Sequence, residues 1–309
     1  KVDLSRRTTL NAGLHAGYFA LTGHYTLEPR VSLRQALPGD QAIKVGYGLH
    51  SQIEDLRLYF IEQASPDGVI RPNRKLDFTK AHHLVLGYER PLRADTRLNA
   101  EVYYQYLFDV PVVPDSSFSM LNWEQDWTFD GRLVNQGAGK NYGVDLTLER
   151  FFSNGYYYLL TGSLFDSRYR GGDGVWRETR FDQQFAANAL FGKEYTIGRS
   201  GNLLGINGRL MAMGGRRYSP IDHAASIERQ EVVFDESRAF TERKSGIFIV
   251  DLTLTYRRNH RRFSDVWALQ VKNVLGVKDT YFDYNFQTNR VEEVKEGYPV
   301  PVLSYKVEF

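Results

Sequence analysis

His82 and His83 are the one place in the 309-residue sequence where two imidazoles adjoin. In an extended segment neighbouring side chains point to opposite faces, so one ion is not held by both, and no metal role is expected there. The sequence contains no cysteine, which excludes thiolate nucleophiles, cysteine–zinc sites and disulfides. Zinc-protease, phosphate-loop, dinucleotide-binding and G-x-S-x-G patterns are missing. "GRSGNLLGING" is glycine-rich but carries no following lysine and flanks a strand-like run, so it does not read as a phosphate cradle. The many carboxylates form no acid/base couple that sequence can identify, and no serine–histidine pair stands out for hydrolysis. The expectation is a protein without catalytic residues, metal or cofactor.

The residues that remain are of binding type, and they fall in two long polar segments. Segment 109–138 carries Phe118, Trp123, Asp126, Trp127, Phe129 and Asp130; segment 215–244 carries Arg216, Arg217, Tyr218 and Asp222. Trp123, Trp127, Arg216, Arg217, Tyr218 and Asp222 are the ligand-binding candidates, because long loops on a rigid scaffold are where ligands and partners bind. Loop–loop packing is the ordinary alternative for each of them.

The scaffold shows itself as period-two alternation. "AIKVGYGLH" sets Ile43, Val45, Tyr47 and Leu49 against Lys44, Gly46, Gly48 and His50, and "NYGVDLTL" sets Tyr142, Val144, Leu146 and Leu148 against Asn141, Gly143, Asp145 and Thr147. Such patterning marks strands with one apolar and one polar face. About twelve strands are predicted, near 9–19, 28–37, 42–51, 79–90, 96–108, 139–151, 156–167, 181–196, 202–214, 245–257, 263–273 and 299–309. Most are about ten residues long, as a strand tilted across a bilayer must be, and longer than the roughly five or six of soluble sheets. From the second strand on, tight and long connections alternate, which is the habit of an outer-membrane up-and-down barrel. An even strand count would put both chain ends on the short-turn side.

In a barrel of this kind the polar parity faces inward. The lumen-facing set is then Asn11, His15, Arg30, Arg34, Lys44, His50, Asn99, Glu101, Gln105, Asn141, Asp145, Thr147, Glu149 and Asp251. A lysine or arginine on the lipid face would cost about 2–4 kcal/mol at the midplane. Tyr104, Tyr106, Phe108, Tyr156, Tyr158, Tyr256, Tyr305 and Phe309 fit aromatic girdles at the membrane interfaces, or packing of an ordinary soluble sheet. The two alternatives predict opposite exposure.

Composition agrees with the barrel. Tyr, Phe and Trp make up 14% of the chain, yet mean hydropathy is only −0.43, and no run approaches the roughly 20 apolar residues of a transmembrane helix. Formal net charge is +2 from 39 basic and 37 acidic residues, an even mixture rather than the basic stripe that nucleic acid demands. "KVDLSRRTTL" is not a signal peptide and lacks an initiator methionine, so the chain reads as a processed or partial product.

Five stretches carry a family resemblance: "LNAGLHAGYFALTGHYTLEPRVSLR", "YYQYLFDVPV", "LVNQGAGKNYGVDLTLERFFSNGYYYLLTGSLFDSRYR", "GGRRYSPID" and the terminal "YKVEF". They resemble TonB-dependent outer-membrane receptors of the Bacteroidetes type, collinear with the C-terminal portion of the barrel. The resemblance implies residues 1–309 as part of a 22-stranded barrel whose lumen a plug domain fills. It further implies uptake of a nutrient powered by an inner-membrane complex through the TonB protein, in the outer membrane of a Gram-negative bacterium. Neither plug nor TonB-contacting segment is in this sequence, so Lys1 is expected at a periplasmic turn midway round the wall. Implied partners are outer-membrane lipid, the plug and remaining strands, the TonB complex through the missing N-terminus, and a surface lipoprotein or other outer-membrane protein. In such proteins a C-terminal aromatic strand is the barrel-assembly signal, which falls here on Tyr305 and Phe309. Two other readings stay open. One is a self-contained twelve-stranded barrel acting as pore or hydrolase, with its first strand paired to its last. The other is a structural or docking component of an outer-membrane complex.

Overall fold

The computed structural model describes residues 1–66, 68–124 and 129–309. Thirteen strands follow one another along a single sheet: β1 Val2–Ser5, β2 Thr8–Phe19, β3 His24–Ala36, β4 Ala42–Gln52, β5 Thr79–Arg93, β6 Thr96–Val112, β7 Val134–Ser153, β8 Tyr156–Arg170, β9 Phe185–Ile197, β10 Asn202–Met213, β11 Ile247–Asn259, β12 Ser264–Lys272 and β13 Val300–Glu308. Each is hydrogen-bonded to its sequence neighbours, and a short strand Trp176–Glu178 adds to β8. All pairings in the sheet are antiparallel, so it is an up-and-down meander. Among the described residues β13 pairs only with β12 and β1 only with β2, which leaves two open edges.

All twelve predicted strands are present. β1 is an addition: four residues are too few for alternation to register. It runs down to a tight turn at Arg6–Arg7, so Lys1 lies up along the wall, not at a turn as expected. Tight links at 6–7, 37–41, 94–95, 154–155, 198–201 and 260–263 occupy one end of the sheet, and segments 53–78, 113–133, 171–184, 214–246 and 273–299 occupy the other. The link 20–23 is short although it lies at the long-loop end. Local chemistry sets the turns: Asn154 and Gly155 both adopt positive φ, 53° and 76°, the pair of left-handed residues a two-residue hairpin requires.

Register places residues directly opposed across strands on the same face. Glu101, Asp145 and Ser163 form one such row, and Gln105, Asn141 and Ser167 another. On the opposite face Ile206, Leu254, Leu269 and Leu303 are level with one another across four strands. The apolar face is the exposed one: Val144 and Leu146 are 48% and 50% accessible, whereas Asp145, Thr147 and Glu149 between and beside them are partly covered. A soluble sandwich buries its apolar parity; here the order is reversed. Tyr195, Leu204, Tyr256, Trp267 and Tyr305 make a row on this face near the turn end, with Trp267 centred 6.0 Å from Tyr256 and 5.4 Å from Tyr305.

The buried apolar cluster lies at the long-loop end of the sheet. Leu58, Tyr59, Leu76, Val110, Met120 and Leu133 pack together at the long-loop end, with Phe19, Phe118, Trp123 and Phe129 around them. Tyr59 meets Phe19 edge-on at 5.2 Å. The hydrophobic effect that soluble folds spend between layers here fastens loops over one rim.

Candidate functional site

The long loops form a tied cap. Asn73 donates to the Gly131 carbonyl at 2.9 Å and accepts from the Leu133 amide at 2.7 Å, joining segment 53–78 to 113–133. The Arg180 amide donates to Asn122 at 2.8 Å, and Ser116 donates to Glu236 at 2.9 Å, which draws in 171–184 and 214–246. Lys244 donates to the Thr280 carbonyl and so reaches the hairpin Asp279–Asn285/Arg290–Glu296.

Two adjoining cavities of about 450 and 520 Å³ open between these loops and share Glu124, Arg180 and Phe234. Glu124 bridges two guanidiniums, Arg180 at 2.6 Å and Arg216 at 3.1 Å. Arg180 lies over the Phe240 ring and Arg216 over Phe181, both at 5.7 Å. Beneath them Asp182, 1% exposed, accepts from Arg217 at 3.0 Å and Arg243 at 2.9 Å. The arrangement offers planar cations backed by aromatic faces, with one exposed carboxylate holding two of them. A ligand anion with matching spacing would replace Glu124.

Of the candidates named from sequence, Trp123, Arg216, Arg217 and Tyr218 line this cleft. Trp123 is half-buried beneath Arg57, 4.8 Å from its ring. Arg217 is mostly covered and held by Asp182, so of the two arginines Arg216 is the accessible one. Tyr218 packs on Phe282 at 5.2 Å, and burial raises its hydroxyl pKa, helped by Glu242 and Glu293. Asp222 stands apart as the N-cap of the helix His223–Arg229, accepting from the Ala225 amide at 3.0 Å. Trp127 and Asp126 lie outside the described residues. Sequence reasoning missed Glu124, Arg180, Asp182 and Arg243. The alternation "FDQQFAANAL" drew residues 181–184 into a strand that in fact begins at Phe185.

The lumen set shares the polar face. Lys44 pairs with Glu89 at 2.9 Å, Arg34 stands 3.9 Å from the same carboxylate, and Arg97 pairs with Glu149 at 2.7 Å. Glu101 accepts from Asn99 at 3.1 Å and stands opposite Asp145 in a cavity of about 400 Å³. His82 and His83 do take opposite faces: His82 bonds the Tyr47 hydroxyl at 3.0 Å on the apolar side, and His83 lies on the polar side with His50.

No family model and no curated protein matches the chain. Solved structures do. The outer membrane transporter YddB from Escherichia coli aligns over 98% of this chain and 43% of its own, at 12% identity and a TM-score of 0.66. The ferric yersiniabactin uptake receptor FyuA from Yersinia pestis aligns over 99% and 44%, at 15% identity and 0.63. The ferric-catecholate import receptor Fiu from E. coli K12 aligns over 99% and 43%, at 12% identity and 0.63. The fold matches part of an outer-membrane receptor barrel. The open sheet matches part of the 22-stranded barrels of TonB-dependent receptors, and the chain spans less than half the length of those it matches. At these identities the likeness is one of fold and does not reach the Bacteroidetes subtype.

One clasp within segment 171–184 responds to pH. Arg177 donates to both oxygens of Asp173, at 3.0 and 2.7 Å, and this holds the Asp173 carboxyl below its usual range. A carboxylate with a depressed folded pKa contributes stability above its unfolded value, about 3.9, and that contribution is lost as pH falls through the folded one. Acidification below about pH 4 should therefore loosen segment 171–184. Arg177→Ala should cost about 1 kcal/mol at neutral pH and abolish this acid transition, read by the emission of the neighbouring Trp176. An identical acid transition in the variant would refute the assignment.

Proposed function

We propose that this chain is the C-terminal part of the wall, and the outer loops, of a TonB-dependent nutrient importer in a Gram-negative outer membrane. The observation that carries the reading is the reversed polarity of a long antiparallel sheet: an exposed apolar face suited to lipid and a polar face suited to a plug and water. The two open sheet edges speak against a self-contained barrel, since the first and last strands do not meet. The plug, the remaining strands and the TonB contact belong to parts outside this sequence. YddB is named a transporter, and FyuA and Fiu receptors for ferric yersiniabactin uptake and ferric-catecholate import. The arginine-and-aromatic cleft fits an anionic, aromatic-bearing cargo of that general kind, entering by displacement of Glu124.

The test is fractionation of the native polypeptide. It should sediment with outer membranes, require detergent for release, and migrate differently on gels before and after heating. Recovery as a folded, detergent-free soluble monomer would sink the proposal.

The terminal strand adds a second expectation. Phe309 is fully exposed at the turn end, and Tyr305 donates to Asp265 at 2.7 Å. Phe309→Ser should leave the strand pairing of β12 and β13 intact yet lower the surface level several-fold, measured by quantitative immunoblotting of outer membranes. Unchanged levels would remove the assembly role and leave only an interfacial one.

A further inference from the structure

Six of the seven histidines, all but His223 in the helix of the cap, divide into two kinds. His15 faces Glu28 at 3.3 Å, His24 faces Asp77 at 3.5 Å, His260 faces Asp265 at 2.8 Å and His82 bonds Tyr47. His50 and His83 instead face each other, ring centres 4.6 Å apart and planes tilted by 45°. The register explains how two residues on different strands meet. Gly48 is opposite His83, and His50 opposite Ala81, so the two histidines are diagonal neighbours on the polar face. Gly48 provides the room: a Cβ there would lie 2.7 Å from His50 Nε2, in the space the imidazole uses to lean toward His83. Both rings border a cavity of about 480 Å³, with Asn11, Arg30 and Ser32 across from them. The Arg30 charge is already engaged by Glu28 at 2.8 Å.

We infer that His50 and His83 form a two-imidazole site for a divalent transition-metal ion on the polar face of the wall. Imidazole nitrogens bind such ions at about 2.0–2.1 Å, which puts each ring centre about 3.2 Å from the metal. Two such rings at a right angle have centres about 4.5 Å apart, and at a tetrahedral angle about 5.2 Å. The observed 4.6 Å lies in this range, so one ion is within reach of both rings, and imidazole ligands suit Cu²⁺, Ni²⁺ and Zn²⁺ alike. No third His, Asp or Glu converges on the pair among the described residues, so the remaining positions of a bound ion would be left to water. Affinity should then follow the general order in which Cu²⁺ exceeds Ni²⁺ and Zn²⁺. The site does not depend on what cargo, if any, the wall admits.

The test uses the whole native polypeptide in detergent, titrated with Cu²⁺ alone and followed by electron paramagnetic resonance. The wild type should show one saturable site with hyperfine coupling to two imidazole nitrogens. His50→Gln or His83→Gln should weaken binding at least tenfold and reduce the coupling to one nitrogen, whereas His82→Gln, on the opposite face, should change neither. Gly48→Ala, which keeps both histidines but crowds His50, should weaken binding several-fold while the heat-dependent gel shift reports an intact fold. Absence of saturable binding, or undiminished binding in the His50→Gln/His83→Gln double variant, overturns the inference.

Discussion

Asp182→Ala should loosen the loop cap by about 3 kcal/mol, toward the lower end of what removing one partner of a buried ion pair costs, because Arg243 remains a quarter exposed. The carboxylate stands where two guanidiniums converge. Arg217 and Arg243 are directly opposed across the two-residue ladder Arg217–Tyr218/Glu242–Arg243, and such like-charged neighbours repel. Both donate to one oxygen of Asp182. Without it Arg217 keeps a long ion pair with Glu178 at 3.9 Å and a weak contact to the Phe240 carbonyl at 3.5 Å, and Arg243 a contact to the Gly215 carbonyl at 3.3 Å. Amide exchange should therefore rise across 214–246 and stay unchanged in the wall strands, whose ladders do not involve this carboxylate. Adding Arg243→Met should recover part of the loss, since one positive charge no longer opposes another. Exchange in 214–246 that matches the wild type would show that the loop is held by something else.

The same residues show what a sequence can and cannot convey. Alternation over ten or more positions is a local signal, and strands such as 96–108 and 202–214 were legible for that reason. The sorting of tight and long links was legible too, because it needs only the positions of the strands. The orientation of Asp182 was not. It depends on two loops meeting, and the alternation around Phe181 and Phe185 disguised it as a strand residue. The facing of His50 and His83 was hidden for a related reason: register between β4 and β5 is set across a 26-residue connection that local pattern does not measure. Asp222 shows the opposite error. A charged residue in a long loop looked like a ligand contact, but its carboxylate is occupied by the start of a helix, as aspartates so placed commonly are. Parity decides which face of a strand a residue takes, whereas tertiary structure decides what it touches.

Leu254→Arg separates lipid from water as the solvent of the apolar face. Leu254 is 47% exposed in the middle of β11, level with Ile206, Leu269 and Leu303, and two residues from the aromatic row of Tyr256. On a protein surrounded by water, arginine at a half-exposed strand position changes stability by only about 0.5 kcal/mol in either direction. In the hydrocarbon of a bilayer it should cost about 2–4 kcal/mol, falling toward the interfaces. Thr253→Arg is the matched control: the preceding residue of the same strand, on the polar face opposite Asn207 and Gln270. Its charge would meet water or polar groups. Urea unfolding of the native polypeptide in lipid vesicles should show a penalty of at least about 2 kcal/mol for Leu254→Arg and a much smaller one for Thr253→Arg. Equal penalties would mean that parity does not sort the two faces into lipid and lumen, and the reversed exposure of this sheet would need another partner than membrane.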